Sequence, residues 1–246
     1  MIEVKDLSFA YGKGGYVFSG FNIEIPSKKI SVIMGPNGCG KTTLLKLIAG
    51  ILRPQRGSIS IDGEDPEVYR VKGLISLVFQ DHGLLPWMRV WDNVALPLRI
   101  RGFKKDVIEK RARSSLERVG MLWASQRYPG TLSGGERQRI ALARALASGA
   151  SVLLLDEPLA SVDPDARDDL ISLIKSIWNE ERQTVVVVTH NPEDAVGLGG
   201  NIYVISGRPA RLLSTIPLRR GDEDAGLDMC RLIEDIKRVI RSGGHI

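Results

Sequence analysis

An α/β fold built on a parallel sheet is what this sequence predicts, and three observations predict it. Several short runs are almost wholly apolar and β-branched, notably Ile30–Met34, residues 152–155 and Thr184–Thr189. Such runs suit strands buried on both faces, the habit of parallel sheets. Segments of helical period alternate with them through the last third of the chain. Finally, Ile30–Met34 leads straight into Gly35-Pro36-Asn37-Gly38-Cys39-Gly40-Lys41-Thr42-Thr43 and then into an apolar helical stretch. That passage reads G-x-x-x-x-G-K-T, a phosphate-binding loop in its strand–loop–helix setting. The three together imply an α/β nucleotide-binding core.

The first third reads mostly as β: Ile2–Phe9, residues 21–25, Ile30–Met34, residues 58–61 and residues 74–79, separated by Gly or Pro turns. Asp62-Gly63 is a turn signal after one of them. The one clear helix there follows Lys41. Glycines in the loop before it let backbone N–H groups curl around an anion, and the helix aims its positive end at the same place. Lys41 is expected to reach the β- and γ-phosphates, and Thr42 to offer its hydroxyl to Mg²⁺. Cys39 lies inside this loop, where its thiol is expected to react readily with alkylating agents and to be shielded by Mg-ATP.

The middle is helical. Residues 90–99 and 104–119 form two helices by pattern, the second marked by Val107, Ile108, Ala112, Leu116 and Val119 at helical spacing. Ser133-Gly134-Gly135-Glu136 opens a third, with a serine three residues before a glutamate in the manner of a capping box. Ile140, Leu142, Ala143 and Leu146 give it a packed side. The last third alternates again: strand 152–155, helix Pro164–Glu181 with Asp163 as its cap, strand Thr184–Thr189, helix Pro192–Leu198, and strands near 202–205 and 211–214. Residues 221–226 read as a charged linker. Leu232, Ile233, Ile236, Val239 and Ile240 mark a C-terminal amphipathic helix expected to pack on the body. The chain is therefore read as one domain. Residues 1–81 and 150–220 form the core, 82–149 a helical insert, and 221–246 the linker and last helix.

Composition narrows the class. The 246 residues are 43% hydrophobic, ordinary for a chain with a sizeable core. No apolar run approaches the ~18 residues of a spanning helix, and the N-terminus lacks the pattern of a signal peptide. A cytoplasmic location is expected. Two cysteines, Cys39 and Cys230, make no disulfide framework. The net charge is +5, with basic residues gathered between Arg99 and Arg118. That cluster fits a solvated helix face, since Asp106, Glu109 and Glu117 are interleaved with it. A face toward nucleic acid or anionic lipid is the other reading. The aromatic ladder of a single-strand platform is missing, and no nucleic-acid partner is expected.

Hydrolysing a nucleotide takes a metal, a water-orienting group and something to stabilise the γ-phosphate charge. Val152-Leu153-Leu154-Leu155-Asp156-Glu157 is an apolar strand ending in two carboxylates. Asp156 is placed to serve the Mg²⁺, and Glu157 to polarise the attacking water. The start of the Ser133 helix is a plain capping box or a second anion site, with exposed N–H groups, two glycines and a helix dipole behind them. One nucleotide seldom needs two helix N-termini from one chain. The second fits a nucleotide held by another copy.

Leu132-Ser133-Gly134-Gly135-Glu136-Arg137-Gln138-Arg139 resembles the signature motif of ATP-binding cassette (ABC) ATPases, and the resemblance covers nearly the whole chain in the family's order. It implies a P-loop NTPase (RecA-like) parallel-sheet core, an N-terminal antiparallel β subdomain and an α-helical insert. Tyr11 sits where the family stacks an aromatic on adenine. Gln80 matches the glutamine that senses Mg²⁺ and water. Asp156 and Glu157 match the metal aspartate and catalytic glutamate, Asp163 the aspartate of the D-loop, and His190 the switch histidine at the γ-phosphate. The resemblance further implies two ATPs sandwiched between two head-to-tail cassettes. Each touches Lys41, Thr42, Gln80, Glu157 and His190 of one subunit and Ser133, Gly134 and Gly135 of the other. A homodimer or second cassette is thus required. So are integral membrane permease subunits and, for import, a solute-binding protein, with the cassette peripheral on the inner face of the cell membrane.

Asp81-His82-Gly83-Leu84-Leu85-Pro86-Trp87, Val90-Trp91-Asp92-Asn93-Val94 and Ser206-Gly207-Arg208-Pro209-Ala210-Arg211 are similar to the nitrate/taurine/alkanesulfonate-type importer group. In that group the Leu-Leu-Pro-Trp stretch lies near the docking site for the permease. Trp87 and Trp91 fit that interface, packing inside the helical insert, or both. Two departures from the pattern are Asn191 after the switch histidine and Lys28-Lys29 before the phosphate-loop strand. The expected function is ATP hydrolysis that energises import of a small anionic or sulfur/nitrogen-containing solute. Export or lipid transport, and a soluble non-transport cassette, are the alternatives. A phosphoryl-transfer kinase would leave the Ser133 motif and His190 unexplained.

Overall fold

The computed structural model describes residues 1–12, 14–218 and 226–243. Strands β1 (Ile2–Phe9), β2 (Phe18–Ile25) and β4 (Arg56–Ile61) form an antiparallel sheet in the order β2-β1-β4. Strands β3 (Ile30–Met34), β5 (Ile75–Val78), β6 (Val152–Asp156), β7 (Thr184–Thr189), β8 (Asn201–Ile205) and β9 (Leu212–Pro217) form a six-stranded sheet in the order β5-β6-β7-β3-β8-β9. All its pairings are parallel except β8 with β9.

The apolar runs have a direct physical cause. Successive side chains of a strand point to opposite faces, and here each face meets its own core. Val32, Leu153, Leu155, Val185 and Val187 join the core shared with the helices of the insert and the C-terminal half. Ile33, Val152, Leu154, Val186 and Val188 join the core beneath the antiparallel sheet. With both faces covered, no position in β6 or β7 is left to water, and neither strand alternates with polar residues.

Helix α1 (Lys41–Ile48) lies on the second of these cores. Helices α3 (Val90–Ile100), α4 (Lys105–Arg118) and α5 (Gly134–Ser148) pack together as the insert, followed by α6 (Pro164–Glu181) and α7 (Pro192–Leu198). Helix α8 (Gly226–Gly243) rests on α7, β8 and β9, with Ile236 fully buried. Residues 221–225 of the expected linker lie outside the described residues, and Gly226 already begins α8.

Several expectations need correction. Strand β2 starts three residues before the expected 21–25 span, at Phe18, and β9 runs on to Pro217 beyond the expected 211–214. Helix α2 (Pro66–Val71) stands where only strands were expected. Asp65 caps it by accepting from the Glu67 N–H, with Pro66 in its first turn. Asp163 does occupy the cap position of α6, but its side chain caps nothing. The Lys28-Lys29 departure sits in a tight turn where Lys28 takes φ 59°, a conformation that ordinarily favours glycine. Its N–H is held by the Thr184 hydroxyl at 2.9 Å.

Candidate functional site

Five adjacent parallel strands end on one side of the sheet, and each delivers part of the site there. The order β5-β6-β7-β3-β8 sets Gln80, Asp156 with Glu157, His190, the phosphate loop and Arg208 in a row. Open α/β sheets bind their ligands at these carboxyl ends. A cavity of about 400 Å³ opens there, lined by Asn37, Gly38, Gly40, Lys41, Thr42, Thr43, Gln80, Glu157, His190 and Arg208.

The loop owes its shape to glycine at two places. Gly40 has φ 113°, and a Cβ there would meet Val17 at 2.5 Å. It stands at the N-cap of α1 without any capping side chain, so the first N–H groups of α1 face the cavity uncapped. At Gly35 a Cβ would meet the Ile205 carbonyl at 2.7 Å, so the loop closes tightly on β8.

Lys41 is buried. Its Nζ donates to the carbonyls of Gly35 at 2.9 Å and Pro36 at 3.2 Å, and lies 3.6 Å from the Glu157 carboxylate. The Thr42 hydroxyl donates to Asp156 at 3.0 Å. Burial pushes the Asp156 carboxyl up from its ordinary range, against the pull of that hydroxyl bond. Glu157 takes a left-handed backbone, φ 47°, and both its oxygens lie 3.0 Å from His190 Nδ1. Strain of this kind at a non-glycine residue persists when surrounding contacts impose it. Here the Glu157 N–H donates to the Val188 carbonyl of β7. Tyr11 is half-exposed, edge-on to Phe9 at 5.0 Å, with its hydroxyl 3.2 Å from that of Thr43.

Cys39 overturns an expectation. Its side chain turns away from the cavity into the core beneath the antiparallel sheet and is 1% exposed. Burial raises its thiol, and the nearby charges of Lys41 and Arg208 do not offset that. It is a packed core residue of the loop, not an accessible nucleophile.

Ser133, Gly134 and Gly135 do not line this cavity. Ser133 forms a complete capping box with Glu136, at 3.2 Å and 2.7 Å. Gly134 lies against the loop that leads to Asp163, and a Cβ there would sit 2.3 Å from the Ser161 carbonyl. In the stretch after Gln80 the two tryptophans part. Trp91 packs on the helical core with Leu84, while Trp87 is 72% exposed.

Sequence reasoning gave no role to two features. Arg208 Nε donates to the Gly38 carbonyl of the phosphate loop at 2.7 Å. Asp194, buried in α7, pairs with Arg167 of α6 at 3.3 Å and so ties the strand end bearing His190 to the helix that follows Asp163. The group likeness of residues 206–211 marked the first position without a function, and nothing in local pattern marks the second. Among the described residues no three His, Cys, Asp or Glu side chains cluster as metal ligands, and no helix is long and apolar enough to cross a membrane.

Comparison with known proteins bears on what this site does. A family model described as "ABC transporter" matches residues 18–160. The taurine import ATP-binding protein TauB of Escherichia coli O157:H7 is 41% identical over 221 residues, spanning 89% of this chain and 84% of that protein. Its counterpart from Shigella sonnei is 40% identical over the same shares. Among solved structures, the chain is similar to MJ0796, a bacterial ABC transporter cassette solved as a dimer. The TM-score is 0.78 at 30% identity, over 89% of this chain and 99% of that one. It is also similar to cbiO1 from Clostridium perfringens, described as part of the ABC transporter complex cbiONQ. There the TM-score is 0.81 at 26% identity, over 96% and 98%.

Proposed function

This chain belongs to the ABC transporter family, and on that premise we propose that its cavity is half of an ATP site whose other half comes from a second cassette. The chain binds and hydrolyses ATP to energise an importer of a small solute. Relatives named for taurine import support an aminosulfonate or a solute of similar size and charge. The observation that carries the reading is the convergence of Lys41, the Thr42–Asp156 pair and the Glu157–His190 pair at one row of strand ends.

Roles follow from the geometry. Backbone N–H groups of residues 38–42 cradle the phosphates, with Lys41 as the fixed cation between loop and Glu157. Thr42 and Asp156 are hard oxygen donors 3.0 Å apart, a set that suits Mg²⁺ better than a softer metal. They would hold that ion, whose chemistry is to screen the charge of the phosphates. Such a site takes few protein ligands, in keeping with the lack of a three-residue cluster among the described residues. Glu157 orients the attacking water and accepts its proton. His190 braces that carboxylate and stands ready at the γ-phosphate, and Gln80 reports on the site from its edge. Tyr11 serves the adenine.

Ser133, Gly134 and Gly135 lie outside the cavity of their own chain, which supports their acting on the nucleotide of a partner. The working state is a dimer on the inner face of the membrane, bound to permease subunits through the surface around Trp87 and supplied by a solute-binding protein. Ser133→Arg tests the partner-site role directly. The variant is expected to bind ATP with unchanged affinity and to lose turnover at least about a hundredfold, the scale on which one transition-state contact acts. Unchanged hydrolysis would overturn that assignment.

A further inference from the structure

Arg208 is a cation of the phosphate pocket that the reading above leaves without a task. It projects from a short turn between β8 and β9 that is pinned on both sides. Before it, Ser206 receives the Arg211 N–H on its hydroxyl at 2.9 Å and donates its own N–H to the Arg211 carbonyl, also at 2.9 Å. After it, buried Ala210 donates its N–H to the Val17 carbonyl at 2.8 Å. A long side chain on so constrained a turn starts from a fixed point. Its Nε is spent on the Gly38 carbonyl at 2.7 Å, which aligns the guanidinium along the loop.

The surroundings favour an anion as the target. Arg208 lines the same cavity as Lys41, Gln80, Glu157 and His190. Lys41 is tied to two carbonyls and is close to Glu157, so its charge is partly matched within the chain. Among the described residues, no carboxylate pairs with Arg208. An arginine held by one nitrogen keeps its two terminal amino groups for a second, planar recognition, and phosphate is what that fork matches. It shares that cavity with the groups assigned to the terminal phosphate, whereas Tyr11, assigned to the base, does not line it.

We propose that Arg208 contacts the terminal phosphate of ATP, through the guanidinium nitrogens not engaged by Gly38, and so helps the site prefer triphosphate over diphosphate. This rests on the ATP-site reading above and extends it by one residue. The test compares binding of the non-hydrolysable analogue adenylyl imidodiphosphate and of ADP, by calorimetry on the full chain. It uses the unmodified protein, Arg208→Ala, Arg208→Lys, and Lys41→Ala as the reference for loss of the site. Arg208→Ala is expected to weaken the triphosphate analogue about tenfold and ADP less than about threefold, the scale of one charge-assisted hydrogen bond. Arg208→Lys falls between, and the melting temperature stays unchanged. Equal losses for both nucleotides would mean that Arg208 merely props the loop, and would overturn the proposal. So would unchanged binding in Arg208→Ala where Lys41→Ala loses it. An unmodified protein that binds neither nucleotide would overturn the ATP-site reading itself.

Discussion

At Cys39 burial outweighs the neighbourhood of a phosphate site. The loop curves back on itself between β3 and α1, and that curvature turns the Cys39 side chain into the core, where it is 1% exposed. The thiolate is the reactive form, and a raised thiol holds less of it at neutral pH. Exposed Cys230 is a built-in comparison. With an alkylating agent at neutral pH, Cys230 is expected to be labelled first and Cys39 to lag at least about tenfold, equally with and without Mg-ATP, until the protein is denatured. Mass spectrometry of the two peptides reads this, and fast, nucleotide-sensitive labelling of Cys39 would contradict it. The residues of the loop were legible because their spacing is covalent: eight consecutive positions, Gly35 to Thr42, carry the motif wherever the chain goes next. Which way Cys39 faces was not, because a loop has no period from which to read sides. Arg208, 170 residues from Gly38 along the chain, was hidden for the same kind of reason. Only the order of strands makes them neighbours.

Elements were legible where burial is one-dimensional. In β6 and β7 every side chain is buried, so composition alone identifies them as central strands. Ser133 and Glu136 announced α5 because a capping box is a local device whose partners lie three residues apart. Helix α2 was harder. Its six residues carry few buried side chains, and only the Asp65-Pro66 start signals it. Gly134 illustrates what an element owes to tertiary contact. At the first turn of α5 the gain in helix propensity from an added methyl group is less than about 1 kcal/mol. The methyl carbon would sit 2.3 Å from the Ser161 carbonyl, a backbone atom that cannot swing aside. Crowding of that kind costs about 1–3 kcal/mol, so it wins. Gly134→Ala is expected to lower stability by about 1–2 kcal/mol in urea titration, with activity falling through displacement of the loop before Asp163. A neutral or stabilising effect would show that α5 and that loop are free to separate.

For the molecule as a whole, the sheet order explains why distant motifs meet. Strands from residues 30, 75, 152, 184 and 201 onward lie side by side, and the motifs after each fall into one row. The fold class and most of the row could be read from the chain, since each motif follows an apolar strand. The separation of Ser133–Gly135 from that row needed three dimensions. A helix start outside its own cavity, packed on the loop before Asp163, is the feature a dimer would use. One chain is proposed to hold half of each ATP site, so blocking hydrolysis is expected to trap the ATP-bound pair. Glu157→Gln keeps the shape of the side chain while removing its capacity to take a proton. Light scattering after size-exclusion chromatography of this variant with Mg-ATP tests the claim most directly. A nucleotide-dependent shift to a stable dimer is the predicted result, and a protein that binds ATP yet remains monomeric throughout would contradict it.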